Sequence, residues 1–211
     1  MAHARARKIK LLLFDVDGVL TDGKLYIFPA PASDHKSEIR EHKERHADSG
    51  GYGIAGTTMV EAKGFNAHDG AGISLAKLGG LQTGLITKRI SETVALRARD
   101  LKLEHVYQGI IDKNSALEEI LAKTGFDASE VAYVGDDIID LPVMRRCGLA
   151  IAVPNAREAV KDEAHFITDH AGGDGALRDA IEYILRAQGK LEKVTDEYMH
   201  SKRAHKKEAR K

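Results

Sequence analysis

Residues 8–23 read KIKLLLFDVDGVLTDG, and residues 9–14 of that stretch form a branched apolar run with no helical period. Such a run is a strand buried on both faces of a parallel sheet. It ends abruptly in Asp15 and Asp17, one residue apart and followed by Gly18. The two carboxylates therefore leave the strand at its carboxyl end, where open α/β sheets bind their ligands. Burying them unpaired would cost several kcal/mol, and the nearby basic residues are only Lys8, Lys10 and Lys24. A cation such as Mg²⁺ would neutralise the pair and attract an anionic substrate. Helix or turn capping accounts for one aspartate at such a position, not for two.

The remainder alternates strand and helix. Residues 25–28 and 58–62 are short apolar or β-branched runs that can pair as a hairpin. Helical spacing starts at Asp69 and stops at Gly79-Gly80, strand patterns cover 83–87 and 105–107, and Ser91 caps a helix between them. A helix over 113–123 closes at Gly125, and a strand over 131–134 ends in Gly135-Asp136-Asp137. Helix 141–146, strand 149–153, helix 157–161, strand 165–167 and a last amphipathic helix over 177–185 continue the series. This alternation predicts an α/β fold, a Rossmann-like doubly wound parallel sheet with a β-hairpin flap and with its site at the strands' carboxyl ends.

At 211 residues the chain is expected to form one domain. That domain spans 9–190, after a basic extension at 1–8 and before a charged, exposed or frayed tail at 191–211. The flap covers 24–63 and carries a polar insertion at 29–57, whose His42 and His46 lie one helical turn apart but lack an apolar frame to hold a metal. Lys+Arg and Asp+Glu are both 32, so global charge argues for neither nucleic acid nor a membrane as partner. One cysteine, Cys147, fits a reducing compartment, and the basic start leads into too short an apolar run for a signal peptide or membrane span. The expected location is cytoplasmic.

Four groups converge at the strand ends in this topology: Asp15 with Asp17, then Thr87, then Lys113, then Asp136 with Asp137. One carboxylate can attack phosphorus while a second protonates the leaving alkoxide and then activates water. A threonine hydroxyl and a lysine ammonium can hold the non-bridging oxygens. Each residue alone is an ordinary turn or helix-start residue; their order makes the signal.

The stretches DVDGVLTDG at 15–23, Thr87, Lys113 and GDDIID at 135–140 resemble the four motifs of the haloacid dehalogenase superfamily. Gly64-Phe65-Asn66, Asp69-Gly70, YQG at 107–109, VAYVGDD at 131–137, LPVM at 141–144, AGGDGA at 171–176 and AQGK at 187–190 narrow the resemblance. They are similar to the capless branch of 3-deoxy-D-manno-octulosonate 8-phosphate phosphatases, over about residues 9–190. The resemblance implies a phosphatase of lipopolysaccharide sugar synthesis with Asp15 as nucleophile and Asp17 as general acid/base. It places Mg²⁺ on Asp15, the Asp17 carbonyl and Asp136, with Asp137 supporting the metal shell and Asp140 orienting Lys113 or its loop. Thr87 and Lys113 would bind phosphate.

The branch has no cap domain, in keeping with the absence of any block here long enough for a second domain. It assembles as a homotetramer whose hairpin and C-terminal segment close a neighbour's site. Asn66, Asp69, Gly70, Lys88, Arg89 and Lys190 are the candidate substrate contacts, and Lys88, Arg89 and Lys190 would offer positive charge to the carboxylate of a phosphorylated sugar acid. Lys88 stands where the family has glycine, and the insertion is longer than the family's; both bear on substrate identity. The alternatives are a phosphatase of a nine-carbon sialic-type 9-phosphate, a receiver-type phosphoacceptor domain, or an idle assembly domain.

Overall fold

The computed structural model describes residues 1–29 and 59–208. A short helix α1 (Ala2–Ala6) precedes β1 (Leu11–Phe14), and β2 (Tyr26–Pro29) pairs antiparallel with β3 (Met59–Ala62). Then come α2 (Ala67–Leu78), β4 (Gln82–Ile86), α3 (Glu92–Leu101), β5 (His105–Tyr107) and α4 (Lys113–Thr124). The chain continues through β6 (Val131–Gly135), α5 (Leu141–Met144), β7 (Leu149–Ala152), α6 (Glu158–Asp162) and β8 (Phe166–Ile167). Two helices, α7 (Ala176–Ala187) and α8 (Leu191–Glu208), follow.

The main sheet has the order β5-β4-β1-β6-β7-β8, and every pairing in it is parallel. β1 lies at its centre, with Leu11 opposite Gln82 on one side and Val131 on the other. All four residues of β1 are shut off from water, because helices cover both faces of a parallel sheet. The order reverses direction at β1, so the crevice beyond the carboxyl ends of β1, β4 and β6 is the topological switch point. The expected α/β, doubly wound parallel sheet with a hairpin is thus the observed one.

Helix boundaries follow their caps. Asn66 Oδ1 accepts the His68 amide at 2.8 Å and opens α2 two residues before Asp69, the start expected from the pattern. Ser91 caps α3, and Gly125 closes α4 in the left-handed conformation, φ 71°. Past Lys190, where an exposed or frayed tail is expected, Leu191–Glu208 form the helix α8. Leu191, Val194 and Tyr198 share one face at helical spacing, and Val194 is 3% exposed. The insertion at 30–57, with His42 and His46, lies outside the described residues. Among the described residues, no helix is long and apolar enough to cross a membrane.

Candidate active site

β1 ends by delivering Asp15 to the crevice in an extended conformation, where its Oδ1 accepts the Val16 amide at 2.7 Å. The following turn, Val16–Leu20, needs glycine at its centre. Gly18 has φ 93°, and a Cβ there would stand 2.1 Å from Asp136 Oδ2. The loop after β1 therefore closes directly on the carboxylate after β6. Asn155 clamps it from outside, donating to the Gly18 carbonyl at 2.9 Å while its own Oδ1 accepts the Gly172 amide at 2.7 Å.

Behind Asp15 lies a buried ionic cluster. Lys113, the first residue of α4 and 2% exposed, places Nζ 2.9 Å from Asp15 Oδ2 and 2.7 Å from Asp140 Oδ1. The Tyr133 hydroxyl, inside the apolar run of β6, donates to the same Asp140 oxygen at 2.8 Å. Asp140 Oδ2 accepts the amides of Asp136 and Asp137 at 3.0 and 3.2 Å. One carboxylate thus fixes both the lysine and the turn that carries two acidic residues.

Burial lifts the Asp15 carboxyl to about 6, against the pull of Lys113 and with the push of Asp140. Asp136 goes up to about 7, through burial first and then the charges of Asp140, Asp15 and Asp137. Burial drags Lys113 down, but Asp15 and Asp140 outweigh it, so the ammonium is held above its ordinary range.

A cavity of about 220 Å³ brings together Asp15, Asp17, Thr87, Lys88, Arg89, Asp136 and Asp137, with Ile139 as an apolar wall. Thr87 stands just past β4, buried, its amide donating to the Tyr107 carbonyl at 2.9 Å. Two residues not expected at the site, Glu61 and Lys63, come from the foot of the hairpin. Lys63, with its side chain fully shielded, bonds Asp17 Oδ1, and Arg89 Nε lies 3.6 Å from Asp17 Oδ2. Glu61 holds Arg89 Nη2 at 3.0 Å and accepts the Ser91 hydroxyl at 2.7 Å. The charged pair Glu61 and Lys63, two residues apart at the end of the apolar run, was the available sequence signal.

Other expected contacts are not brought to this cavity. Asn66 is spent on the α2 cap and a 3.4 Å bond to Asp174. Asp69 is fully buried and its Oδ1 accepts the Arg178 amide at 3.1 Å, at the start of α7. Gly70 faces α3, where a Cβ would meet Arg97 Nη2 at 2.9 Å. Lys190 lies by the amino ends of the strands, in a cleft with Lys10 and Gly80, and donates to the Gly79 carbonyl at 2.8 Å.

Asp15, Asp136 and Asp140 each offer an oxygen within 4.8 Å of the others. Asp136 Oδ1 is buried and has no hydrogen-bond partner among the described residues. An orphaned carboxylate oxygen among like charges fits a hard divalent cation with oxygen ligands. Both Asp140 oxygens are fully engaged, Oδ1 by Lys113 and Tyr133 and Oδ2 by the amides of Asp136 and Asp137, whereas each Asp15 oxygen accepts a single bond, which leaves Asp15 and Asp136 as the carboxylates open to a metal. The Asp137 side chain is instead turned to the Ile138 amide at 2.7 Å, and that of Asp17 to Lys63.

Residues 84–179 match the family model of haloacid dehalogenase-like hydrolases. The 3-deoxy-D-manno-octulosonate 8-phosphate phosphatase of Escherichia coli K12 is 36% identical over 191 residues, covering 90% of this chain and 87% of the relative. The crystal structure of the Yersinia pestis phosphatase of that name matches with TM-score 0.74 and 37% identity, covering 90% of this chain and 88% of that one. The Moraxella catarrhalis phosphatase, solved with magnesium ion, phosphate ion and KDO, matches with TM-score 0.76 and 32% identity, covering 93% of this chain and 97% of that one.

Proposed function

Because the chain belongs to the 3-deoxy-D-manno-octulosonate 8-phosphate phosphatases among the haloacid dehalogenase-like hydrolases, we propose that it hydrolyses that phosphorylated sugar acid in lipopolysaccharide sugar synthesis. The observation that carries the reading is the set at the switch point: a buried carboxylate, Asp15, with Lys113 at 2.9 Å and the orphaned Asp136 oxygen beside it. A nucleophile needs its ionised form, and a carboxyl titrating at about 6 is mostly ionised at neutral pH.

Asp15 attacks phosphorus and forms an aspartyl-phosphate. The bond to the sugar oxygen breaks as Asp17, which enters this step as the protonated acid, gives that oxygen a proton. Asp17 then takes a proton from the water that attacks the phosphorylated Asp15, inorganic phosphate leaves, and both carboxylates return to their starting state. Thr87 and Lys113 hold the non-bridging oxygens, and Asp140 with Tyr133 holds Lys113 in place. Lys63 and Arg89 restrain the Asp17 side chain at the mouth. When bound at Asp15, Asp136 and the Asp17 carbonyl, with Asp137 supporting the shell, Mg²⁺ supplies positive charge against the phosphoryl group.

The assembly is a homotetramer built through the hairpin. β2 exposes Tyr26, Ile27 and Phe28, and β3 exposes Val60, more apolar surface than a two-stranded ribbon keeps in water. A cytoplasmic location fits the free, buried Cys147. The direct test is phosphate release from 3-deoxy-D-manno-octulosonate 8-phosphate with Mg²⁺ present and after exhaustive chelation. Release should exceed that from a neutral sugar phosphate and should stop on chelation with the fold intact. Equal rates on both esters, or chelation without effect, would contradict the reading.

A further inference from the structure

Recognition of an acidic substrate at this cavity calls for a cation that is still free, and among the described residues the cations are accounted for one by one. Lys113 is shared between Asp15 and Asp140. Lys63 is paired with Asp17, and Arg89 is divided between Glu61 and Asp17. Lys190 bonds the Gly79 carbonyl away from the cavity. Lys88 lines the cavity, is exposed, and has no ion-pair or hydrogen-bond partner among the described residues.

Its place also separates two anions. The groups that the proposed mechanism assigns to the phosphoryl end are deep: Asp15 is 4% exposed, Thr87 3% and Lys113 2%. A phosphate seated among them directs the rest of the substrate outward. Lys88 follows Thr87 directly in the chain but stands at the exposed rim, so it meets that outward part. Building on the proposed sugar-acid phosphatase activity, we propose that Lys88 is a specificity-determining residue that binds the carboxylate at the non-phosphorylated end of the substrate. Arg89, the neighbouring cation, is neutralised by Glu61 and serves Asp17 instead.

The test uses a matched pair, 6-phosphogluconate and sorbitol 6-phosphate, which differ only in whether the end opposite the phosphate is a carboxylate. The ratio of their kcat/KM values reads carboxylate recognition without depending on the natural sugar. In the wild type the acid is favoured; Lys88→Gln should lower the ratio about tenfold, chiefly through KM, and Lys88→Arg should retain most of it. Raising the salt concentration should move the wild-type ratio toward that of the glutamine variant, because a rim charge is screened. A wild type that does not favour the acid overturns the proposal. So does a Lys88→Gln variant that loses equally on both esters, since that marks a phosphate contact or a folding defect. A wild type that favours 6-phosphogluconate but ignores 3-deoxy-D-manno-octulosonate 8-phosphate would contradict the parent activity while supporting the role of Lys88.

Discussion

Lys113 Nζ lies 2.9 Å from Asp15 Oδ2, and both side chains are almost wholly withdrawn from water. The pair joins the end of β1 to the start of α4, and it is the only compensation Asp15 has from a cation within that distance among the described residues. Lys113→Met removes it and leaves Asp15 beside Asp140 as two buried carboxylates. Breaking a buried pair on one side costs about 3–5 kcal/mol. The pH dependence has a defined sign. Without Lys113 the Asp15 carboxyl rises further above its ordinary 3.8, so the variant loses stability as pH climbs through that window. Urea unfolding should show a larger gap between wild type and variant at pH 8 than at pH 5, with kcat/KM down by at least about a hundredfold. A gap independent of pH would contradict this electrostatic account.

Asp69 supplies a second, independent pH test. Burial raises its carboxyl from 3.8 to about 6, partly opposed by the amides of Arg178, Leu177 and Gly175. A raised carboxyl binds its proton more tightly in the folded state, so its contribution favours folding below pH 4 and is lost as pH rises to about 6. Asp69→Asn removes that dependence. Relative to wild type, the variant should gain up to roughly 3 kcal/mol between pH 4 and pH 7, read from unfolding midpoints. A residue gripping substrate would instead lower kcat/KM at least tenfold and leave the pH profile of stability unchanged.

The contrast between these two acids shows what the sequence could convey. Asp15 ends an apolar strand beside another aspartate, a position where no interior partner is supplied locally, so its chemistry was legible. Asp69 sits in the first turn of an amphipathic helix, where acids usually face water and the helix dipole. Its burial depends on α7, more than a hundred residues later, through Arg178. Tyr133 was hidden for a related reason: in VAYVG it reads as one more core side chain, and only the fold shows its hydroxyl on Asp140. Lys63 and Asp17 lie 46 residues apart, and nothing in the sequence says which strand end the foot of the hairpin meets. The helix α8 was obscured by the many charged residues in its sequence, although Leu191, Val194 and Tyr198 carried the spacing of a packed stripe.

The hairpin prediction concerns assembly. Phe28 is 51% exposed on β2, whose four residues are all exposed. Phe28→Glu should therefore leave the unfolding midpoint of the main domain nearly unchanged while converting the proposed tetramer to smaller species in light scattering. A wild type that is monomeric at micromolar concentration, or a variant that remains tetrameric, would rule out the hairpin as the contact.

The claim on which the mechanism stands is that phosphate passes through Asp15. Mixing enzyme, Mg²⁺ and substrate, quenching in acid within a turnover, and reducing with borohydride converts a phosphorylated aspartate to homoserine. Peptide mass spectrometry should then find homoserine at Asp15 alone, only when substrate was present, and none in Asp15→Asn, whose turnover should be abolished with the fold intact. Full turnover with Asp15 unmodified, or homoserine at Asp136 instead, would contradict the account.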